Sequence, residues 1–209
     1  MDLTNSQRIA KLAGHLLQHP GNIPRYVAHN LITRREPVEL ELPWFSYAAI
    51  DFLKSYLRNE MQVFEFGSGG STLFFAQHCK SVTSVEDNTH WCEIVAAKLA
   101  RRGIENADVR YQPVAFTGEE EFVASDYLKA VRQSIVDVIV VDGTEWTANV
   151  RPICFRAAEE QIAPGGIIVV DDSWRYRELR QTNRAHRVNI FESVGPGRFG
   201  VTSTDVYFY

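Results

Sequence analysis

The chain has 209 residues, 45% of them hydrophobic and 23% charged, which fits one compact domain and falls outside disordered, collagenous and membrane-spanning compositions. Its formal net charge of −4 argues against a general nucleic-acid binder, because neutralising phosphates requires a basic face. A local basic patch stays open.

From Asn5 to Gln18, the residues Ile9, Leu12, Ala13, Leu16 and Leu17 recur at helical spacing and predict an amphipathic helix that Pro20-Gly21 stops. His15 and His19 lie four apart on it, but without a nearby acidic ligand they read as polar-face histidines. Residues 22–42 mix prolines and charge and read as loop-rich, so that residues 1–42 are expected to form an N-terminal helical extension, its helix being the first one. Pro43 sits where a first helical turn accepts proline, ahead of a helix over Trp44–Leu57. Apolar, β-rich runs then follow at Gln62–Phe66, Ser81–Val85, Asp108–Tyr111, Val136–Val141 and Gly166–Val170, separated by stretches of helical period. Repeated strand and helix units predict a parallel sheet covered on both faces, with the apolar runs at 138–141 and 167–170 at its centre. A helix near Ser173–Gln181 and two final strands, Arg187–Ser193 and Thr202–Tyr209, joined through Gly195-Pro196-Gly197, complete the chain. Cys79, Cys92 and Cys154 are odd in number and lack CxxC spacing, so neither a disulfide framework nor a zinc cluster is expected. With no charged and apolar leader, and no apolar run near the roughly 20 residues that span a bilayer, a cytoplasmic location without membrane partners is expected.

The sharpest segment runs from Val63 to Ala76: an apolar strand ending in Glu65 and Phe66, the turn Gly67-Ser68-Gly69-Gly70-Ser71, and an apolar helix. Glycines let the backbone turn sharply and approach a ligand closely. A dinucleotide fingerprint would need a small residue at Thr72 and lacks it. The next strand ends in Glu86-Asp87-Asn88, an acid about 20 residues after the turn, where a ribose diol is normally read. Its two carboxylate oxygens can accept from both ribose hydroxyls, which makes Glu86 the leading candidate; a solvated carboxylate or a helix cap is the alternative. The segment resembles the acidic and glycine-rich first motif of class I S-adenosylmethionine-dependent methyltransferases, with Glu65, Gly67 and Gly69 matching and Ser71 in place of the last glycine. The resemblance spans about residues 45–209 and implies a Rossmann-like, doubly wound α/β sheet of seven strands, mostly parallel with an antiparallel last strand, in a domain over 43–209. It implies S-adenosylmethionine as cofactor, held by Glu65, Gly67, Ser68, Gly69, Ser71, Glu86, Asp87 and Asp142, with the adenine over Val114 and Ala115.

Two acidic clusters fall at strand ends where ligands of open α/β sheets sit: Asp142-Gly143-Thr144-Glu145-Trp146 and Asp171-Asp172-Ser173-Trp174. Together with Ala163-Pro164-Gly165-Gly166 they resemble bacterial small-molecule and sugar O-methyltransferases, many of which bind magnesium. That resemblance implies Asp142, Asp171 and Asp172 as oxygen ligands of Mg2+. The alternative is that Asp171 or Asp172 caps the following helix and Asp142 lines the methionine end of the cofactor pocket. The metal-dependent members of the family the chain resembles often present a lysine near the acceptor; none lies between Asp142 and Arg180, so a different base is needed, with Glu145 and Asp142 as the candidate catalytic carboxylates. Trp44, Phe45, Trp146, Trp174 and Tyr176 are candidates to stack on a small-molecule or glycan-like acceptor, and Arg175, Arg177 and Arg180 to meet an anionic one; packing and a solvated face are the plainer readings. A cofactor-binding module without turnover and an NAD-dependent dehydrogenase remain the alternatives.

Overall fold

The computed structural model describes residues 4–33, 35–114, 118–133, 135–143, 145 and 150–209. The α-helices are α1 (Asn5–Gln18), α2 (Ile23–Tyr26), α3 (Pro37–Leu40), α4 (Tyr47–Tyr56), α5 (Gly70–Ala76), α6 (Thr89–Arg102), α7 (Glu119–Val123), α8 (Asp126–Lys129) and α9 (Val150–Glu159). The strands are β1 (Gln62–Phe66), β2 (Ser81–Glu86), β3 (Ala107–Tyr111), β4 (Val136–Val141), β5 (Ile162–Val170), β6 (Arg187–Val194) and β7 (Val201–Phe208).

One seven-stranded sheet has the order β3-β2-β1-β4-β5-β7-β6. β1 to β5 pair in parallel, and β7 enters antiparallel between β5 and β6. That reversed strand excludes the all-parallel order of the dinucleotide-binding dehydrogenases. β4 is the middle strand, and Val138, Ile139, Val140 and Val141 are buried on both faces. Phe66, Ile139, Ile168 and Phe155 pack on one side of the sheet, and Val63, Leu53, Val140 and Val169 on the other.

Three elements differ from their sequence expectation. β5 starts earlier, at Ile162, because Pro164 and Gly165 (φ +81°) lie in an irregularity where pairing shifts from Val136↔Ile162 to Val138↔Ile167; a bulge accepts the proline that regular pairing refuses. α4 begins at Tyr47, not at Trp44, because the Ser46 hydroxyl caps the Ala49 amide and also donates to the Phe191 carbonyl. The segment after β5 forms two 3-10 turns, Ser173–Arg175 and Arg177–Arg180. There the Ser173 hydroxyl and the Arg180 guanidinium both reach Asp205 on β7, and side-chain bonds to another element compete with a regular helix.

In the extension, Thr4 and Gln7 form a capping box on α1. Leu12 and Leu16 pack on the sheet, whereas Ile9 and Leu17 of the expected apolar stripe are exposed. Residues 37–42 close on the start of α5 so tightly that a Cβ on Gly70 would lie 2.1 Å from the Leu42 carbonyl. No helix among the described residues is long and apolar enough to cross a membrane.

Candidate functional site

β1 and β2 end side by side, with Phe66 paired to Val85, and the chain turns sharply after β1. Gly67 takes φ +93°, and a Cβ there would lie 2.9 Å from the Asp142 carbonyl, so only glycine fits between the ends of β1 and β4. Behind the turn, Glu65 is buried and accepts from the Ser84 hydroxyl (2.6 Å) and the Thr72 hydroxyl (2.8 Å), while Thr72 also accepts from the Gly69 amide (3.1 Å). Thr72 therefore braces the turn from inside at the position where a dinucleotide loop carries a small residue. Glu65 is placed as a strut of the loop and does not line the cavity in front of it.

Glu86 is buried at the end of β2. Its Oε2 accepts from the backbone N–H and the hydroxyl of Ser68, both at 2.9 Å, and its Oε1 accepts from the Asn88 N–H at 3.1 Å. Burial raises its carboxyl above the ordinary range, against the pull of these donors. Glu86 thus touches the glycine turn directly, on the wall of a cavity of about 630 Å³. Gly67, Ser68, Gly69 and Ser71 line one side, and Asp142, Asp172 and Gly143 another. Trp91 leans over the turn, its indole N–H donating to the Ser68 carbonyl at 2.5 Å. Glu36, Pro37 and Val38 of the extension complete the wall.

Of the other expected cofactor residues, Asp87 and Val114 do not line this cavity, and Ala115 lies outside the described residues, as do Thr144 and Trp146. Phe45 and Tyr176 are buried packing residues, while Trp44 and Trp174 reach cavity walls.

The acidic clusters are held by arginines. Arg151, on the apolar face of α9, lies 3.1 Å from the Asp142 carboxylate and donates to the Gly143 and Asp171 carbonyls at 3.0 Å. Arg198, in the connection after β6, spans Asp171 and Asp172 with contacts of 2.5 Å to each. Thr204 donates to Asp171 and Thr202 to Asp172. Burial pushes Asp142 up to about 6 and Asp171 up to about 7, with Arg151 and Arg198 respectively pulling the other way. Asp172 is half-buried, and although desolvation raises its carboxyl, the Arg198 guanidinium beside it wins and holds it below the usual range.

This donor set does not fit magnesium. A hard divalent ion needs carboxylate oxygens turned toward one open point, and here fixed cations already cover Asp171 and Asp172 from one side and Asp142 from the other. Among the described residues no group of three or more His, Cys, Asp or Glu side chains is arranged to hold a metal. The arginine pairing leaves the expected metal role of Asp142, Asp171 and Asp172 without support. The helix-cap alternative fails as well, because Asp172 (φ +51°) precedes only a 3-10 turn and its side chain caps nothing. Glu145 meets the Tyr176 hydroxyl, lies 3.8 Å from Arg151 and lines neither main cavity, although burial raises its carboxyl to about 6. Arg180, paired to Asp205 through two contacts, is unavailable to an anion. Arg151 and Arg198 were not singled out in the sequence. The detectable signal was an arginine inside the apolar run Val150 to Phe155 and another directly after Gly195-Pro196-Gly197.

A family model described as a methyltransferase domain matches residues 64–173, just over half of the chain and all of the turn, Glu86 and both acidic clusters. The chain belongs to the methyltransferase domain family. No curated protein matches it in sequence. In fold it is similar to an O-methyltransferase from Bacillus cereus crystallised with S-adenosylhomocysteine (TM-score 0.63, 17% identity, covering 89% of this chain and 96% of that one). It is also similar to the O-methyltransferase TomG of tomaymycin synthesis from Streptomyces achromogenes, crystallised with S-adenosylmethionine (0.61, 16%, 90% and 95%). An rRNA methylase from Streptococcus thermophilus shares the fold too (0.55, 14%, 83% and 97%). The domain thus has the Rossmann-like fold of these methyltransferases, and at these identities the structural likeness carries the fold and neither the donor nor the acceptor.

The strut behind the turn gives a testable consequence. Burial raises Glu65 from an ordinary value of 4.5 to about 7, against its hydroxyl donors. The folded state then binds the proton more tightly than the unfolded one, so stability is greatest below the unfolded value and falls as pH rises through about 7. Glu65→Gln carries no charge and is expected to lack that decline. In urea unfolding, its stability relative to the parent should shift in the variant's favour by up to about 3 kcal/mol between about pH 5 and pH 8. Parallel pH profiles for the two proteins would refute the assignment.

Proposed function

We propose that the chain transfers the methyl group of S-adenosylmethionine to an oxygen of a small-molecule or glycan-like acceptor. The observation that carries this reading is the contact of Glu86 with Ser68 on the wall of a cavity that Asp142 also lines. A carboxylate has about four acceptor positions. Three are taken by Ser68 and Asn88, so one position on Oε1 remains for a ribose hydroxyl, with the Ser68 hydroxyl beside it. The amino acid end of the donor would lie along Gly67 and Gly69 toward Asp142.

The chemistry is an in-line displacement on a sulfonium methyl: the acceptor oxygen forms a bond to carbon as the carbon–sulfur bond breaks. Most of the acceleration in such a step comes from alignment. Asp142, at the cavity wall, is the carboxylate placed to take the acceptor's proton, and Arg151 beside it fixes its orientation. We also infer a cytoplasmic setting, and an acceptor other than bulk nucleic acid from the net charge of −4.

The test is calorimetric titration of the full chain with S-adenosylhomocysteine, S-adenosylmethionine and NADH. Saturable binding of the first two and none of the third is expected, and the absence of both sulfur ligands would end the proposal. Excess EDTA or added magnesium is expected to leave both affinities within about twofold, since arginines already neutralise the carboxylates. A loss of affinity in EDTA that magnesium restores would contradict the geometry of Arg151 and Arg198. Donor binding without transfer over a broad acceptor panel would instead favour a binding module.

A further inference from the structure

A second cavity, of about 430 Å³, lies against the first and shares Asp172 and Arg198 with it. Its walls are built from distant parts of the chain: α1, the turns after β5, and the β6–β7 connection. In a chain of net charge −4, this cavity gathers Arg8, Lys11, Arg175, Arg177 and Arg198 against Asp172 and Glu192 only. The two carboxylates are spoken for: Glu192 pairs with Lys11 at 2.9 Å, and Asp172 with Arg198. Arg8, Arg175 and Arg177 form no ion pair among the described residues. Three guanidinium groups concentrated in a concave site without ion-pair partners set up a positive potential that focuses on an anion.

The same cavity carries aromatic surface. Trp174 is fixed at its rim by an indole N–H contact to Asp172 (3.4 Å), with the Arg175 guanidinium 4.9 Å from its ring centre. Phe199, which lines the same cavity, is 62% exposed, a cost in water that a bound ring would relieve.

We propose that this second cavity is the acceptor site and that it selects a small anion: a ring-bearing molecule with a carboxylate or phosphate held by Arg8, Arg175 and Arg177 and its ring between Trp174 and Phe199. The assignment as acceptor site rests on the donor reading of the first cavity. The shared wall of Asp172 and Arg198 then marks where the acceptor oxygen meets the methyl group. Arg8 and Lys11 come from α1, which gives the N-terminal extension a part in acceptor selection. A compact concave site of this volume suits a small anion, whereas a nucleic-acid strand is tracked by an extended groove.

The experiment is a set of ligand-observed NMR titrations of the full chain, with and without S-adenosylhomocysteine. The probes are benzoate, phenyl phosphate and neutral benzyl alcohol, together with a short single-stranded RNA. One or both anions are expected to bind at least about tenfold more tightly than the alcohol, and the preference to shrink with added salt. Which anion leads distinguishes a carboxylate from a phosphate acceptor. The double variant Arg175→Glu/Arg177→Glu is expected to lose that preference with donor-product affinity within about twofold of the parent. Arg8→Glu, on an exposed helix surface that tolerates substitution, should weaken the anions about threefold or more. Equal binding of alcohol and anions, unchanged anion affinity in both variants, or RNA binding more tightly than either anion overturns the proposal. Failure of S-adenosylhomocysteine to bind overturns the donor reading instead, because the probes still report on the second cavity in its absence.

Discussion

Glu86→Gln is expected to lower the affinity for S-adenosylhomocysteine by about 10- to 100-fold, the worth of one or two hydrogen bonds to a charged group. The substitution keeps the shape of the side chain but gives it one acceptor oxygen in place of two. In the parent, Oε2 gathers both Ser68 donors and Oε1 the Asn88 N–H. The amide can serve one side only, and its own N–H groups then face donors. The turn loosens at Ser68, and the position left for a ribose hydroxyl is lost with it. Calorimetry on parent and variant measures the ratio, and urea unfolding in parallel separates a loosened loop from a general loss of stability. An affinity within twofold of the parent in a fully folded variant would remove Glu86 from the donor site.

Arg198→Ala should be the most damaging single substitution for stability. It strips the cation from Asp171, which is wholly buried, and from Asp172, whose backbone sits in the left-handed region at φ +51°. Breaking a buried pair by removing one partner costs about 3–5 kcal/mol, a large share of the roughly 5–15 kcal/mol that holds a domain together. The cost should be smaller at about pH 5 than at pH 8, because Asp171, already raised to about 7, escapes its isolation by taking a proton in acid. Arg198→Lys keeps the charge but cannot span both carboxylates with a planar fork, so an intermediate loss is expected. Denaturant midpoints at the two pH values test the series. An alanine variant as stable as its parent at pH 8 would show that the two carboxylates do not depend on Arg198.

The strands and the glycine turn were legible because their signals are local. A continuous apolar run such as Val138 to Val141 has no polar face to show water, so it can only be a central strand, and β4 occupies the middle of the sheet. The turn after Phe66 needs a residue free to adopt positive φ, and Gly67 supplies it at φ +93°. Glu86 was placed by its distance along the chain from that turn, and parallel pairing of β1 with β2 converts that distance into contact. Element ends were harder to read. Pro43 is an acceptable helix start in isolation, but Ser46 also finds the Phe191 carbonyl on β6, a partner 145 residues away that no local pattern contains.

The sequence by itself determined the fold class, the glycine turn and the acidic strand ends, since apolar periodicity, backbone freedom and strand spacing are properties of neighbouring residues. Only the tertiary structure decided what those acids do. Asp142 reads as a metal ligand until Arg151 arrives from α9, and Asp171 and Asp172 until Arg198 arrives from the β6–β7 connection, 27 and 26 residues further along the chain. Charge pairing depends on distance in space and on burial, which strengthens each contact as water is excluded. For Asp171 and Asp172 both are fixed only when the last strand enters the sheet between β5 and β6 and carries Arg198 into place.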